Sequence, residues 1–143
     1  LSLFSTELAA FAAFFPGGWQ TPVQEVSREA QGYLLNLAGF GLRALGRLKE
    51  AQTPFERNIA LNIELEDYLH AAADSDNLSE LLFERGELQA ALKRSNDTVE
   101  LIDRTTEKHE QSAYRAQTAH VLAILGKVEE AGALFEEAEQ QQI

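Results

Sequence analysis

The 143-residue chain contains no cysteine and no methionine, and only three prolines and one tryptophan. Without cysteine there are no disulfides, thiolate nucleophiles or Cys-based zinc sites, which fits a cytoplasmic setting. The missing methionine, with Leu1 at the start, sets the expectation that the chain is cut from a longer protein. No apolar run reaches the roughly 18–20 residues that cross a bilayer. The longest, LAAFAAFFPGGW (residues 8–19), ends in helix breakers and lacks the basic leader of a signal peptide. Basic residues are scarce: 12 Lys and Arg against 23 Asp and Glu leave a formal net charge of −11. A phosphate backbone or an anionic lipid surface would be repelled, so neither nucleic acid nor a membrane is expected as partner. The acids crowd the second half, with only Glu7, Glu25 and Glu29 in residues 1–43.

What is present is ordinary globular material, 45% hydrophobic and 24% charged, and it repeats. At an offset of forty, Gly46, Gly86 and Gly126 coincide, as do Ala51, Ala91 and Ala131. The apolar set Leu48, Leu88 and Val128 follows the glycines, and Leu42, Leu82 and Leu122 stand four before them. Seven before each glycine is a small residue: Gly39, Ser79 and Ala119. Nine after come Phe55, Ser95 and Phe135, the middle copy departing from the pattern.

Each position has a physical use. Upstream of the glycines, apolar residues recur at helical spacing, as in Leu35, Ala38, Leu42 and Leu45. Glycine ends such a helix because it accepts positive φ at C′. A second helix follows through Leu48, Ala51, Phe55 and Ile59, its alanine suited to a close helix crossing with the small residue opposite. The unit is an antiparallel hairpin too thin to bury its own apolar face, so stacking is expected. Between hairpins, Asn62 is expected as a left-handed cap before a helix starting near Glu66. Thr105 or Thr106 should cap a later helix, with Glu107 in its first turn. Pro54 is placed in the first turn of its helix. At the N-terminus, Leu8 and Phe15 lie forty before Leu48 and Phe55, so residues 3–15 read as the second helix of a truncated unit. PGGWQTP (16–22) breaks the register, and a long helix is expected to start near Ser27, with Trp19 packing back onto the first hairpin.

A small residue, an apolar residue, Gly-x-hydrophobic-x-x-Ala and then Phe four later resembles the tetratricopeptide repeat (TPR). The likeness runs through Gly39, Leu42, Gly46, Leu48, Ala51 and Phe55, and through their counterparts in the next two copies, over roughly residues 28 to 143. The period of forty exceeds the family's usual 34, and the closing proline is missing. The longer-repeat branch occurs in arrays attached to bacterial signalling ATPases and other multidomain regulators. The resemblance implies an all-α, right-handed α-solenoid of antiparallel helical hairpins. Residues 1–27 form the truncated helix and loop, and the hairpins span 28–65, 66–105 and 106–143. It also implies protein or peptide binding in a concave groove lined by the first helices. By repeat position the groove residues are Asn36, Phe40 and Arg43, then Asp76, Glu80 and Phe83, then Ala116, His120 and Ala123. The second set is acidic, with Asp74 and Glu84 adding to it, and favours a segment carrying Lys or Arg beside an apolar anchor. Clamping of a C-terminal carboxylate, as in chaperone-binding members, is not expected beside so many acids.

Catalysis and cofactors find no support. Asp67-x-x-His70 has the spacing of carboxylate di-metal bundles, but Thr106 and Gln117 stand three before His109 and His120, so no second pair exists. PGGW lacks the Lys and Ser/Thr of a phosphate loop, and no motif orders a Ser–His–Asp set. Glu129, Glu130, Glu136 and Glu137 read as a solvated helix face. The expectation is a non-enzymatic interaction module, scaffold or sensor. Its alternative is a self-association module pairing through Ala131, Leu134, Phe135 and Ala138 of an uncovered last helix.

Overall fold

A computed structural model describes residues 3–141, and every regular element among them is α-helical. The elements are α1 (Leu3–Ala12), α2 (Arg28–Ala44), α3 (Leu48–Glu64), α4 (Tyr68–Glu84), α5 (Leu88–Ile102), α6 (Lys108–Ile124) and α7 (Val128–Gln140). From α2 onward a helix begins every twenty residues, half the interval visible in the sequence. Two units divide the chain at Glu66: α1–α3 in one, α4–α7 in the other.

The glycines mark one kind of turn. Gly46, Gly86 and Gly126 all have positive φ, between 74° and 79°. The Gly46 N–H donates to the Arg43 carbonyl at 2.9 Å, and the Arg47 N–H to the Leu42 carbonyl at 2.9 Å. The same two bonds recur at Gly86 and at Gly126, closing the last turn of each helix in a Schellman arrangement. This explains the leucine four before each glycine. Its carbonyl takes the outer bond while its side chain enters the core.

The other boundaries differ from the sequence expectation. The left-handed residue after α3 is Glu66 (φ 56°), because helical bonding runs past Asn62 to Glu64. The next helix starts at Tyr68, capped by Asp67, whose Oδ1 accepts from the His70 N–H at 3.1 Å. Neither threonine caps α6; Glu107 is its N-cap residue, without a side-chain cap bond. Thr105 instead closes the preceding loop, its hydroxyl donating to the Ile102 carbonyl (2.7 Å) and accepting from the Glu107 N–H (3.2 Å). Pro54 is interior, the seventh residue of α3, because the tight turn at Gly46 lets that helix begin at Leu48. At the N-terminus α1 ends at Ala12, so Phe15 is buried from the segment that follows rather than from a helix. α2 starts beside Ser27 as expected, and Ser27 proves to be its cap, accepting from the Ala30 N–H at 3.1 Å.

In the first unit α2 and α3 pair as a hairpin, and α1 packs on α2. Ala51 is fully buried, and a Cβ on Gly39 would lie 2.8 Å from the Phe55 ring. Phe15, Leu34, Leu35, Ala38 and Leu61 form the core, with Phe11, Trp19, Val23 and Val26 against it. In the second unit α4–α5 and α6–α7 are hairpins joined by α5 against α6. Where the first hairpin sets a phenyl ring against glycine, α4–α5 sets two serines. The Ser79 and Ser95 hydroxyls lie 2.8 Å apart, and Ser79 Oγ donates to the Ala91 carbonyl at 2.8 Å. The departure at Ser95 is therefore a paired exchange: a large residue facing none becomes two small hydrogen-bonded ones.

Gly39→Ala should cost about 1–3 kcal/mol through overpacking. Phe55→Leu should recover part of that loss in the double variant, measured by urea denaturation; strictly additive costs would show that ring and glycine do not share the space. At the turns, Gly46→Ala should lose about 1–2 kcal/mol because L-residues resist positive φ. Glu66→Gly should raise the melting temperature for the same reason.

Candidate functional site

On α2 the residues that pack against α3 are Leu35, Ala38, Gly39 and Leu42, all buried. Beside them on α2 lie Asn36, Phe40 and Arg43. Phe40 is 44% exposed and meets Phe55 edge-on at 5.3 Å between ring centroids. Asn36 and Arg43 are half-buried, and Asn36 Oδ1 is a buried acceptor with no hydrogen-bond partner. Tyr33, 66% exposed one turn before Asn36, joins this face. Sequence reasoning missed it because the position forty on, Ala73, carries no comparable group; its spacing of three from Asn36 and seven from Phe40 was the available signal.

In the second unit α4 carries Asp76, half-buried, and Glu80 and Glu84, both exposed. Asp76 faces α6: with the Gln117 amide nitrogen turned toward it, that amide donates to both carboxylate oxygens at 2.8 and 3.1 Å. Beside them burial, together with the charges of Asp76, Glu110 and Asp74, raises the Tyr114 phenol above its ordinary range. Tyr114 is thus a neutral hydroxyl among carboxylates, a second residue that the repeat pattern did not single out. One expectation needs correction here. Asp74 is buried and cannot add charge to an open surface. Phe83 is half-buried against the core of Leu92, Ala119, Val121, Leu122 and Ala131, so it offers an edge rather than a free anchor. Ala116 is half-buried, whereas His120 and Ala123 are exposed as expected.

Several polar groups serve structure. The Asp67/His70 pair is the α4 cap: besides accepting from the His70 amide, Asp67 meets His70 Nδ1 at 2.7 Å. Among the described residues no cluster of three or more His, Asp or Glu could hold a metal ion. Arg115, which no sequence pattern flagged, is buried and binds Asp103 with two bonds of 2.8 and 2.6 Å. Its Nε lies 3.5 Å from Glu137, an ion pair too long for a hydrogen bond. The Asp103 hydrogen bond is the main reason the guanidinium is held above its ordinary range. One arginine thus ties the end of α5 to α6 and α7. In the first unit Trp19 tilts against Phe15 at 5.2 Å, as expected of a packing residue. It also lines an open cleft of about 530 Å³ with Leu8, Ala9, Ala12, Leu45 and Arg47. The end helix needs a correction as well. Ala131 and Ala138 are buried and Leu134 half-buried; of the four residues expected to be uncovered, Phe135 alone is exposed, and Val128 joins it.

No protein-family profile and no curated protein sequence matches the chain. A solved structure does: the nearly identical TPR-like repeats of a kinesin light chain candidate from Podosopora anserina, at 17% identity and a TM-score of 0.70. The match covers 98% of this chain and 64% of that one, so the chain spans under two thirds of its neighbour's length. The fold is all-α and TPR-like, as the repeat resemblance implied. No helix among the described residues is long and apolar enough to cross a membrane.

Replacing Arg115 by Met should destabilise the fold by about 1–3 kcal/mol, since charged hydrogen bonds are lost and a carboxylate pair is left behind. Calorimetry on Asp103→Asn should show a smaller loss. The Glu50 carboxyl is held below the ordinary range chiefly by its hydrogen bonds from Arg47, at 2.8 and 2.6 Å. A carboxyl depressed in this way stabilises above the unfolded carboxylate range, and that contribution disappears as pH falls through the folded value. Carboxyl NMR titration of Arg47→Gln should show Glu50 returning toward ordinary behaviour.

Proposed function

We propose that this chain is a protein-interaction module without catalysis of its own. Its first helices receive a partner segment that presents Lys or Arg beside an apolar anchor. The observation that carries the reading is the α4 face, where Asp76, Glu80 and Glu84 follow one another at helical spacing beside the α6 amide of Gln117 and the exposed His120. Acidic groups ranged along a surface with apolar edges favour a cationic segment and disfavour a carboxylate. On α2, the exposed rings of Tyr33 and Phe40 would offer apolar contact to such a segment. The two faces belong to separate units, and either can bind alone. A cytoplasmic, regulatory setting as scaffold or sensor follows from the repeat resemblance rather than from a feature of either unit.

Self-association is the second reading, favoured by the exposure of Val128 and Phe135 on α7. Light scattering that stays at the monomer mass over a wide concentration range would remove it.

Glu80→Lys is the test of the first reading, because that side chain is exposed. Against labelled peptides pairing Lys or Arg with Leu or Phe, affinity should fall about fivefold, the scale of one rim charge pair. Thermal stability should stay within about 0.5 kcal/mol, as for other surface substitutions. Unchanged affinity across the panel would remove α4 from the binding surface.

A further inference from the structure

PGGWQTP (16–22) is a stretch that the repeat does not account for, and the cleft beside it has no part in the surfaces described above. Its Trp19 lines that cleft, of about 530 Å³, with Leu8, Ala9 and Ala12 of α1, Leu45 at the end of α2 and Arg47 at the turn into α3. The volume lies within the roughly 300–1,000 Å³ typical of small-molecule sites. Leu8 is buried, and Leu45 and Trp19 are half-buried. Positions 9 and 12 are exposed and hold only alanine, so no long side chain from α1 fills the space.

Arg47 is the one charged group among the described lining residues. Forty and eighty residues on, the same turn position holds Glu87 and Lys127, so the joint itself does not require a guanidinium. Glu50 accepts from Arg47 Nε at 2.8 Å and from Nη2 at 2.6 Å, and the Trp19 N–H donates to the same carboxylate. One carboxylate thus steadies both the indole and the guanidinium, while Arg47 Nη1 donates to no group among the described residues. A guanidinium held along one edge keeps N–H donors for a second planar anion. Apolar walls beside one such cation suit a single negative charge on a compact apolar body. A phosphate monoester would bring a second charge close to Glu50, and repulsion would disfavour it.

We infer that this cleft binds a small monocarboxylic acid with an aromatic body. The carboxylate meets Arg47, and the ring lies among Trp19, Leu8 and Leu45, over the two alanines. The described lining carries no nucleophile and no acid–base group, so the site holds the acid rather than transforming it. It belongs to the first unit and takes an anion, whereas the α4 face proposed above takes a cation, so either can fail without the other.

The sole tryptophan is its own reporter. The full chain is titrated with 3-phenylpropionate, with the neutral 3-phenylpropionamide and with the cationic 3-phenylpropylamine, and Trp19 fluorescence is followed. The acid should give a saturable change with a dissociation constant on the order of 1 mM, as expected of a compact ligand in an open site. The amide should bind about fivefold more weakly, the scale of one exposed charge pair, and the amine more weakly still. Arg47→Gln should abolish the preference for acid over amide while leaving the amide's affinity unchanged. Ala12→Leu, which puts a larger side chain into the space, should weaken acid and amide alike by about tenfold, with circular dichroism checking that the helices persist. Glu80→Lys should change neither. No saturable signal by fluorescence or by ligand-observed NMR would overturn the inference, as would binding untouched by Ala12→Leu. Equal affinities for acid and amide in the unaltered chain would also overturn it. So would a gain in acid binding from Glu80→Lys as large as the loss from Arg47→Gln, because net charge alone would then explain the preference.

Discussion

Antiparallel helices approach only as closely as the residues between them permit, and in this protein the second helix of each hairpin carries a small residue near its start: Ala51, Ala91 and Ala131. All three are buried. Each lies five residues past a left-handed glycine, so the turn that ends one helix fixes which residues of the next face inward. Between the paired helices, the facing positions must balance in volume. Gly39 admits the Phe55 ring, while Ser79 and Ser95 fill the equivalent space with a hydrogen bond. The hairpin is thus one covalent and steric device used three times with different fillings.

The α4–α5 filling extends into a polar seam. Ser75, Ser79, Ser95 and Thr98 are all buried, and Thr98 Oγ1 lies 2.9 Å from Ser75 Oγ. Buried hydroxyls are tolerated because each has a partner, and partnered groups fix register more narrowly than apolar contacts do. Arg115 extends the same principle across three helices, its charge made admissible by the two Asp103 oxygens. These polar ties occupy the interior and leave the outer faces of α2, α4 and α7 free to vary. That division suits a fold whose frame is repeated and whose surfaces are not.

The fold was legible because its signals are local and recur. Glycine at C′, leucine at C3 and alanine near the start of the next helix each act within a few residues, and three copies separate them from chance. Boundaries without glycine were harder. Glu66 adopts a left-handed turn that its side chain does not announce, and Asn62, a better candidate by type, stays helical because bonding continues beyond it. The surfaces were partly legible. Phe40, Glu80 and His120 are exposed, but Asp74 turns inward because a helical face is set by the neighbours packed on it.

By itself, the sequence determined that the chain forms helical hairpins of a TPR-like kind, where three of their turns fall, and that its charge disfavours nucleic acid. Those follow from backbone conformational limits, helical period and net charge, none of which needs a neighbour. Only the tertiary structure decided which side chains the turns leave in the open. It turned an Asp–His spacing into a helix cap, hid Ala131 and Ala138 while baring Val128 and Phe135, and gave Arg115 its partners. Burial and pairing depend on which helix packs against which, and a single strand of sequence does not carry that information at positions where the repeat is free to vary.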